Sequence, residues 1–221
     1  MTRDSSRPAT TRPLRRDAEL NRQRIMIAAR ELFSERGFET TLDDVAHRAG
    51  LGVGTVYRRF PNKEHLIEAM FAERLDELAE LATQAAHAPD PWAGFLDFLW
   101  RAAELITADR GLHDVMTSTV FGHDQVARAK DRLIPIARDL VRRAKDTGKL
   151  RADFAAEDFA LLFKMIGAVS AYTHTDAPDL WRRYLGLLVD SLRAEPGPPS
   201  PLPVPAMDAE TLQNAMARCH R

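Results

Sequence analysis

The 221-residue chain carries 31 Lys/Arg and 32 Asp/Glu, a formal net charge of -1, with 45% hydrophobic residues and a single cysteine. That is an ordinary globular composition, long enough for one large domain or two smaller ones. No stretch approaches the roughly 18 apolar residues of a membrane span, and residues 1–24 hold arginines but no apolar run of the secretory type. Cys219 alone can form neither an internal disulfide nor a thiolate metal site, so the expected location is the cytoplasm and no metal or cofactor is expected.

The near-zero total hides an asymmetry. Residues 1–64 hold 13 basic and 9 acidic groups, net +4, and residues 65–221 hold 18 and 23, net -5. A basic head on an acidic body fits a chain of which one part meets a polyanion. Most of that excess lies in residues 1–16, where Arg3, Arg7, Arg12, Arg15 and Arg16 stand against Asp4 alone. This stretch is expected to be an irregular basic tail.

From there the periodicity is helical. Ile25, Ala28, Ala29, Leu32 and Phe33 follow one face of an amphipathic helix, which Gly37 closes. Thr41 opens a short second helix, with Asp44 as its capping-box partner and a buried stripe of Leu42, Val45, Ala46 and Ala49. Gly50 ends it. A third short helix runs from about Val53 to Phe60, with Val53, Val56, Tyr57 and Phe60 at 3–4 spacing. Pro61 stops it, and Asn62 can cap a longer helix reaching about Ala86. Further helices are predicted near 91–108, 111–121, 124–146, 155–173 and 178–194, with Pro135 expected to kink its helix. Six of the eleven residues from Glu195 to Pro205 are proline, so 195–221 reads as a Pro-rich tail with a possible short helix near 208–218. The predicted class is all-α.

Two short helices joined by a Gly-containing turn, behind a longer supporting helix, make a helix-turn-helix, whose second helix enters the DNA major groove. The third helix has the chemistry for this. Residues 53–63 contain three basic groups and no acid. Arg58 and Arg59 can bind guanine in a bidentate way, and Thr55 can hydrogen-bond or touch a thymine methyl. Gly54 would admit a close backbone approach, and Lys63 stands at the positive end of the next helix, suited to phosphate.

The run LFSERGFETTLDDVAHRAGLGVGTVYRRFPNKEHLIEAM resembles the N-terminal domain of TetR-type transcriptional regulators. The resemblance implies that Thr41, Tyr57 and Lys63 hold phosphates and that Val53, Gly54, Thr55, Arg58 and Arg59 face bases or nearby backbone. Asp43 and Asp44 oppose phosphate, which leaves the second helix Thr41 and Arg48. It further implies a homodimer, double-stranded DNA with a palindromic operator as partner, and a C-terminal pocket for a small-molecule effector.

In the body, 155–173 is apolar on two sides. Phe159, Leu162, Phe163, Ile166 and Ser170 form one face; Leu161, Met165, Ala168 and Tyr172 form the other. By the resemblance, Phe159, Leu162, Phe163 and Ile166 would join Leu185, Leu188, Val189 and Leu192 of 178–194 in the dimer interface. Two recognition helices would then lie about one DNA turn apart, roughly 34–36 Å. Candidate pocket residues are Phe95, Phe98, Trp100, Met116, Phe121 and Tyr172, with His113 among the polar groups. The seven histidines show no metal-binding spacing, and GLGVG at 50–54 does not follow a strand, so no enzyme is expected. The expected domains are 17–64 for DNA and 65–194 for effector and dimer. The expected function is a ligand-responsive repressor. An activator or protein-responsive regulator is the near alternative, and an all-α interaction protein without specific DNA binding the distant one.

Overall fold

The computed structural model describes residues 11–36, 39–108, 124–195 and 197–218, and the chain divides into two compact units, Met1–Leu66 and Ile67–Arg221. Among the described residues every regular element is a helix, apart from an isolated antiparallel bridge between Leu150 and Arg193.

The first unit contains α1 (Thr11–Arg36), α2 (Leu42–Ala49) and α3 (Val53–Arg59). Because α1 starts at Thr11, residues 11–16 are helical rather than part of an irregular tail. Pro13 falls in the first turn, where a missing N–H costs no intrahelical bond. Ile25, Ala28, Ala29, Leu32 and Phe33 are all buried, joined by Met26, and α1 packs on α2, which packs on α3. The expected stripe Leu42, Val45, Ala46 and Ala49 is buried. The α3 stripe is only half so. Val56 and Phe60 are buried, whereas Val53 and Tyr57 are 44% and 45% exposed. These two i,i+4 pairs lie about 60° apart around the axis, and only one can face α2. Gly37 and Phe38 lie outside the described residues.

In the second unit α4 (Lys63–Ala86), which begins in the first, is followed by α5 (Pro91–Ala108), α6 (Asp124–Asp146), α7 (Asp158–Thr173), α8 (Leu180–Ser191) and α9 (Ala209–Arg218). Asn62 caps α4 as expected, its Oδ1 accepting from the His65 N–H at 3.0 Å. The helix expected near 111–121 lies outside the described residues. Pro135 sits within α6, with its ring exposed.

The core of this unit forms where α5 packs on α6 and α7, and α7 on α8. Phe95 is fully buried, edge-on to Phe154 at 5.8 Å, and Phe98 meets Phe159 edge-on at 5.2 Å. Gly94 lets the start of α5 press against the end of α4. A Cβ there would lie 2.7 Å from Ala88 Cβ and closer still to the Ala85 carbonyl oxygen.

Two expectations are corrected here. The residues assigned to a dimer interface, Phe159, Leu162, Phe163, Ile166, Leu185, Val189 and Leu192, are buried inside the protomer, and Leu188 packs against the same core. The outward faces are the other ones, with Leu161 65%, Met165 52%, Tyr184 43% and Leu187 47% exposed. Periodicity shows that a helix has two apolar faces, but which one the chain itself covers depends on the neighbours. The Pro-rich segment is also more than a tail. Ser200 donates from its N–H and its hydroxyl to Asp190 at 2.8 and 2.7 Å, and Arg183 donates to the Val204 carbonyl at 3.2 Å. The segment lies along α8, and α9 packs on α7. Proline's fixed φ lowers the entropy lost in ordering such an extended strap.

Gly94→Ala should therefore destabilise the protein by about 2 kcal/mol, since backbone rather than a flexible side chain must yield. Urea titration followed by circular dichroism measures this; unchanged stability would contradict the packing.

Candidate nucleic-acid interface and ligand cavity

Both ends of α2 are fixed by local chemistry. Thr41 is its N-cap: the Thr41 hydroxyl accepts from the Asp44 N–H at 3.1 Å, while Asp44 Oδ2 accepts from the Thr41 N–H at 3.0 Å and its hydroxyl at 2.6 Å. These bonds, the hydroxyl first, lower the Asp44 pKa. At the other end Gly50 adopts φ 62°, a left-handed conformation that favours glycine, and the Leu51 N–H returns to the Ala46 carbonyl at 3.0 Å. Arg24 of α1 donates to the Gly50 carbonyl at 3.2 Å, which ties this turn to α1. The path of the chain into α3 follows from that turn.

Of the residues expected at DNA, those on α3 share one outward surface. Val53, Gly54, Tyr57, Arg58 and Arg59 are exposed and Thr55 is half-buried, with Arg58 donating to the Thr55 hydroxyl at 3.3 Å. A Cβ at Gly54 would meet nothing within 4 Å. The fold itself therefore does not require glycine there. The Asp43 carboxylate beside the Tyr57 hydroxyl raises the tyrosine pKa above its ordinary value, so the phenol stays a neutral donor. Lys63, at the start of α4, holds its ammonium 5.8 Å from the centroid of the Phe33 ring.

The two residues assigned on and before α2 are differently employed. The Thr41 hydroxyl is taken up by the capping box. Arg48 turns back to α1, bonding Glu35 at 2.8 and 3.0 Å and Glu31 at 3.1 Å, which raises its own pKa and, chiefly through the hydrogen bond, lowers that of Glu35. The bond between Arg48 and Glu31/Glu35 spans two elements, so spacing within α2 gave no sign of it. The Asp43–Tyr57 contact was missed for the same reason.

The second unit contains an open cavity of about 550 Å³, within the range of small-molecule sites. Its walls are Phe71, Leu75 and Leu78 of α4, Phe98 and Ile106 of α5, Leu133, Ile134 and Ala137 of α6, and Phe159, Ala160, Leu161 and Phe163 of α7. Of the candidate pocket residues that are described, only Phe98 lies on it. Phe95 is sealed in the aromatic core, Trp100 packs against Trp181 at 6.4 Å, and Tyr172 is not on the wall. His113, Met116 and Phe121 lie outside the described residues. The α4 lining was legible as an apolar i, i+4, i+7 face, but that it faced a hole rather than a packed core was not. Polar bonds join α4 to α6 along this wall: the buried Glu68 carboxylate accepts from the Gln125 N–H at 3.0 Å, and Asp76 pairs with Arg132. Among the described residues no group of three His, Cys, Asp or Glu is placed to hold a metal ion, and no helix is long and apolar enough to cross a membrane.

A three-helix head with this turn and outward α3 is a helix-turn-helix DNA-binding module, and comparison with known proteins agrees. The family model "Bacterial regulatory proteins, tetR family" matches residues 25–70, and the model "Transcriptional regulator SbtR-like, C-terminal domain" matches residues 90–194. The HTH-type transcriptional regulator SrpR of Pseudomonas putida is 26% identical over 153 residues, which span 67% of this chain and 72% of that protein. An HTH-type transcriptional regulator of Staphylococcus aureus (strain USA300) is 41% identical over 64 residues, 28% of this chain and 35% of that one. The crystal structure of a TetR transcription regulatory protein from Mycobacterium vanbaalenii aligns with a TM-score of 0.59 at 28% identity, covering 82% of this chain and 99% of that one. The chain belongs to the TetR family: it is a transcriptional regulator with a DNA-binding helix-turn-helix, and not an enzyme.

Gly54 separates stability from binding. Gly54→Ala should stabilise the protein by about 0.5 kcal/mol through helix propensity while weakening DNA binding by about tenfold, because the added methyl intrudes where DNA backbone would approach. Melting temperature and DNA titration read the two effects; unchanged DNA affinity would show that the open space is not used.

Proposed function

We propose that this regulator is a cytoplasmic homodimeric repressor, released from a palindromic operator by a small effector held in the α4–α7 cavity. One observation carries the DNA reading: the face of α3 turned away from the core presents Val53, Gly54, Thr55, Tyr57, Arg58 and Arg59, without an acid of its own. Arg58, Arg59 and Thr55 read base edges, Gly54 and Val53 allow close approach, and Tyr57 and Lys63 donate to phosphate. Thr41 and Arg48 act one step back, through the cap and the α1 carboxylates that set the pose of α2.

A single seven-residue reading helix gives little specificity, so two copies act together on half-sites about 34–36 Å apart. The exposed Leu161, Met165, Tyr184 and Leu187 of α7 and α8 are the faces that pair. This replaces the buried set that the resemblance implied. The cavity wall on α4 supports the switch, because α4 runs unbroken from Lys63, beside the reading helix in sequence, to Leu75 and Leu78 in the cavity. An effector that favours a different pose of α4 against α6 lowers DNA affinity by the free energy with which DNA lowers effector affinity.

With an operator selected from random duplexes, log affinity should fall steeply with log salt, Lys63→Ala should weaken binding and flatten the slope by about one, and Arg59→Ala should weaken binding and relax the base preference at its position. A wild-type slope near zero would overturn the reading. Met165→Asp places a charge in the proposed pairing face and should shift the protein from dimer to monomer in sedimentation velocity, with helicity retained. A Met165→Asp dimer as tight as the wild type would exclude this face.

A further inference from the structure

The charges at the cavity are unequal. Its lining includes three ionisable residues, Lys130 on α6, Lys164 on α7, and Glu157 just before α7. Glu157 is already committed: Arg138 donates to its Oε1 at 2.6 and 3.2 Å, and that bond holds its carboxyl below the ordinary range. Neither lysine has an ion-pair partner among the described residues. Both are exposed, while the wall behind them is aliphatic and aromatic. The cavity therefore joins an apolar wall to two ammonium groups, on two different helices, that have no ion-pair partner among the described residues.

We infer that the effector is an amphipathic organic anion, with an apolar body among the phenylalanines and an anionic head, such as a carboxylate, held between Lys130 and Lys164. This rests on the reading of the cavity as the effector site. A neutral apolar molecule gains from burial alone. An anion of the same body gains in addition from two ammoniums beside a low-dielectric wall, and a cation is repelled by both. The lysines belong to α6 and α7, so a bridging head group draws these helices together. That gives the ligand a means of acting on α6, and through the Glu68–Gln125 and Asp76–Arg132 bonds on α4.

Two environment-sensitive dyes test this on the full chain: the anionic 8-anilinonaphthalene-1-sulfonate and the neutral Nile red. The double substitution Lys130→Gln, Lys164→Gln should weaken the anionic dye about fivefold or more while leaving Nile red within about twofold, as two partly screened ion pairs require. Wild-type binding of the anionic dye alone should weaken as salt is raised from about 50 mM to about 500 mM. Unchanged affinity for the anionic dye in the double variant, or equal losses for both dyes, overturns the anion assignment but leaves the cavity intact as a site. Ala160→Trp fills the cavity from α7 and should abolish binding of both dyes. If both bind it as before, the effector-site reading fails together with the inference.

Discussion

Neither α2, with eight residues, nor α3, with seven, is long enough to persist alone in water. Their existence depends on burial of one face, α2 against α1 and α3 against α2, and the outward surface of α3 depends on them. Ala46 and Val45 are completely buried, so the helices cross closely enough for a short turn to join them. The left-handed Gly50 and its bond from Arg24 fix that turn, and the capping box fixes the other end of α2. Arg48, in the last turn of α2, adds two carboxylate partners on α1. The exposed pairs contribute modestly to stability one by one. Their larger effect is geometric, because the direction of α3 follows from the orientation of α2.

The body obeys a different constraint. A helix with two apolar faces buries one of them within this chain and leaves the other toward solvent. In α7 the ring face of Phe159, Phe163 and Ile166 is used at home, with Phe159 and Phe163 forming part of the cavity wall, and the Leu161 and Met165 face is left outward. Leu161 and Lys164 also line the cavity, so the cavity borders both faces of α7. The C-terminal strap adds to the same region, since Leu202 packs over Gly186 of α8 at what would be 3.2 Å from a Cβ.

Particular residues show how much was legible. The i, i+3, i+4 pattern of α1 located its core, and Thr41 with Asp44 located the start of α2 to the residue, because capping chemistry is local. Asn62 and α4 followed by the same means. The α3 stripe was half right: Tyr57 and Val53 continue an apolar spacing, and only the crossing of α2 over α3 decides that they face out. Arg48 had the charge of a phosphate ligand, but its partners lie 13 and 17 positions back in the chain. Phe95 and Phe98 are three apart and look alike in sequence. One fills the aromatic core and the other borders empty space.

The amino-acid sequence by itself determined the helical class, the turn and caps of the head, the family, and the chemistry of the reading helix. All of these rest on interactions between residues within about four positions of one another, or on a motif short enough to read directly. The tertiary structure alone decided which apolar face of α7 and α8 is interior, which aromatic residues line the cavity, and which cations already have partners. Those outcomes depend on which helix lies opposite, and a hydrophobic period records only that something does.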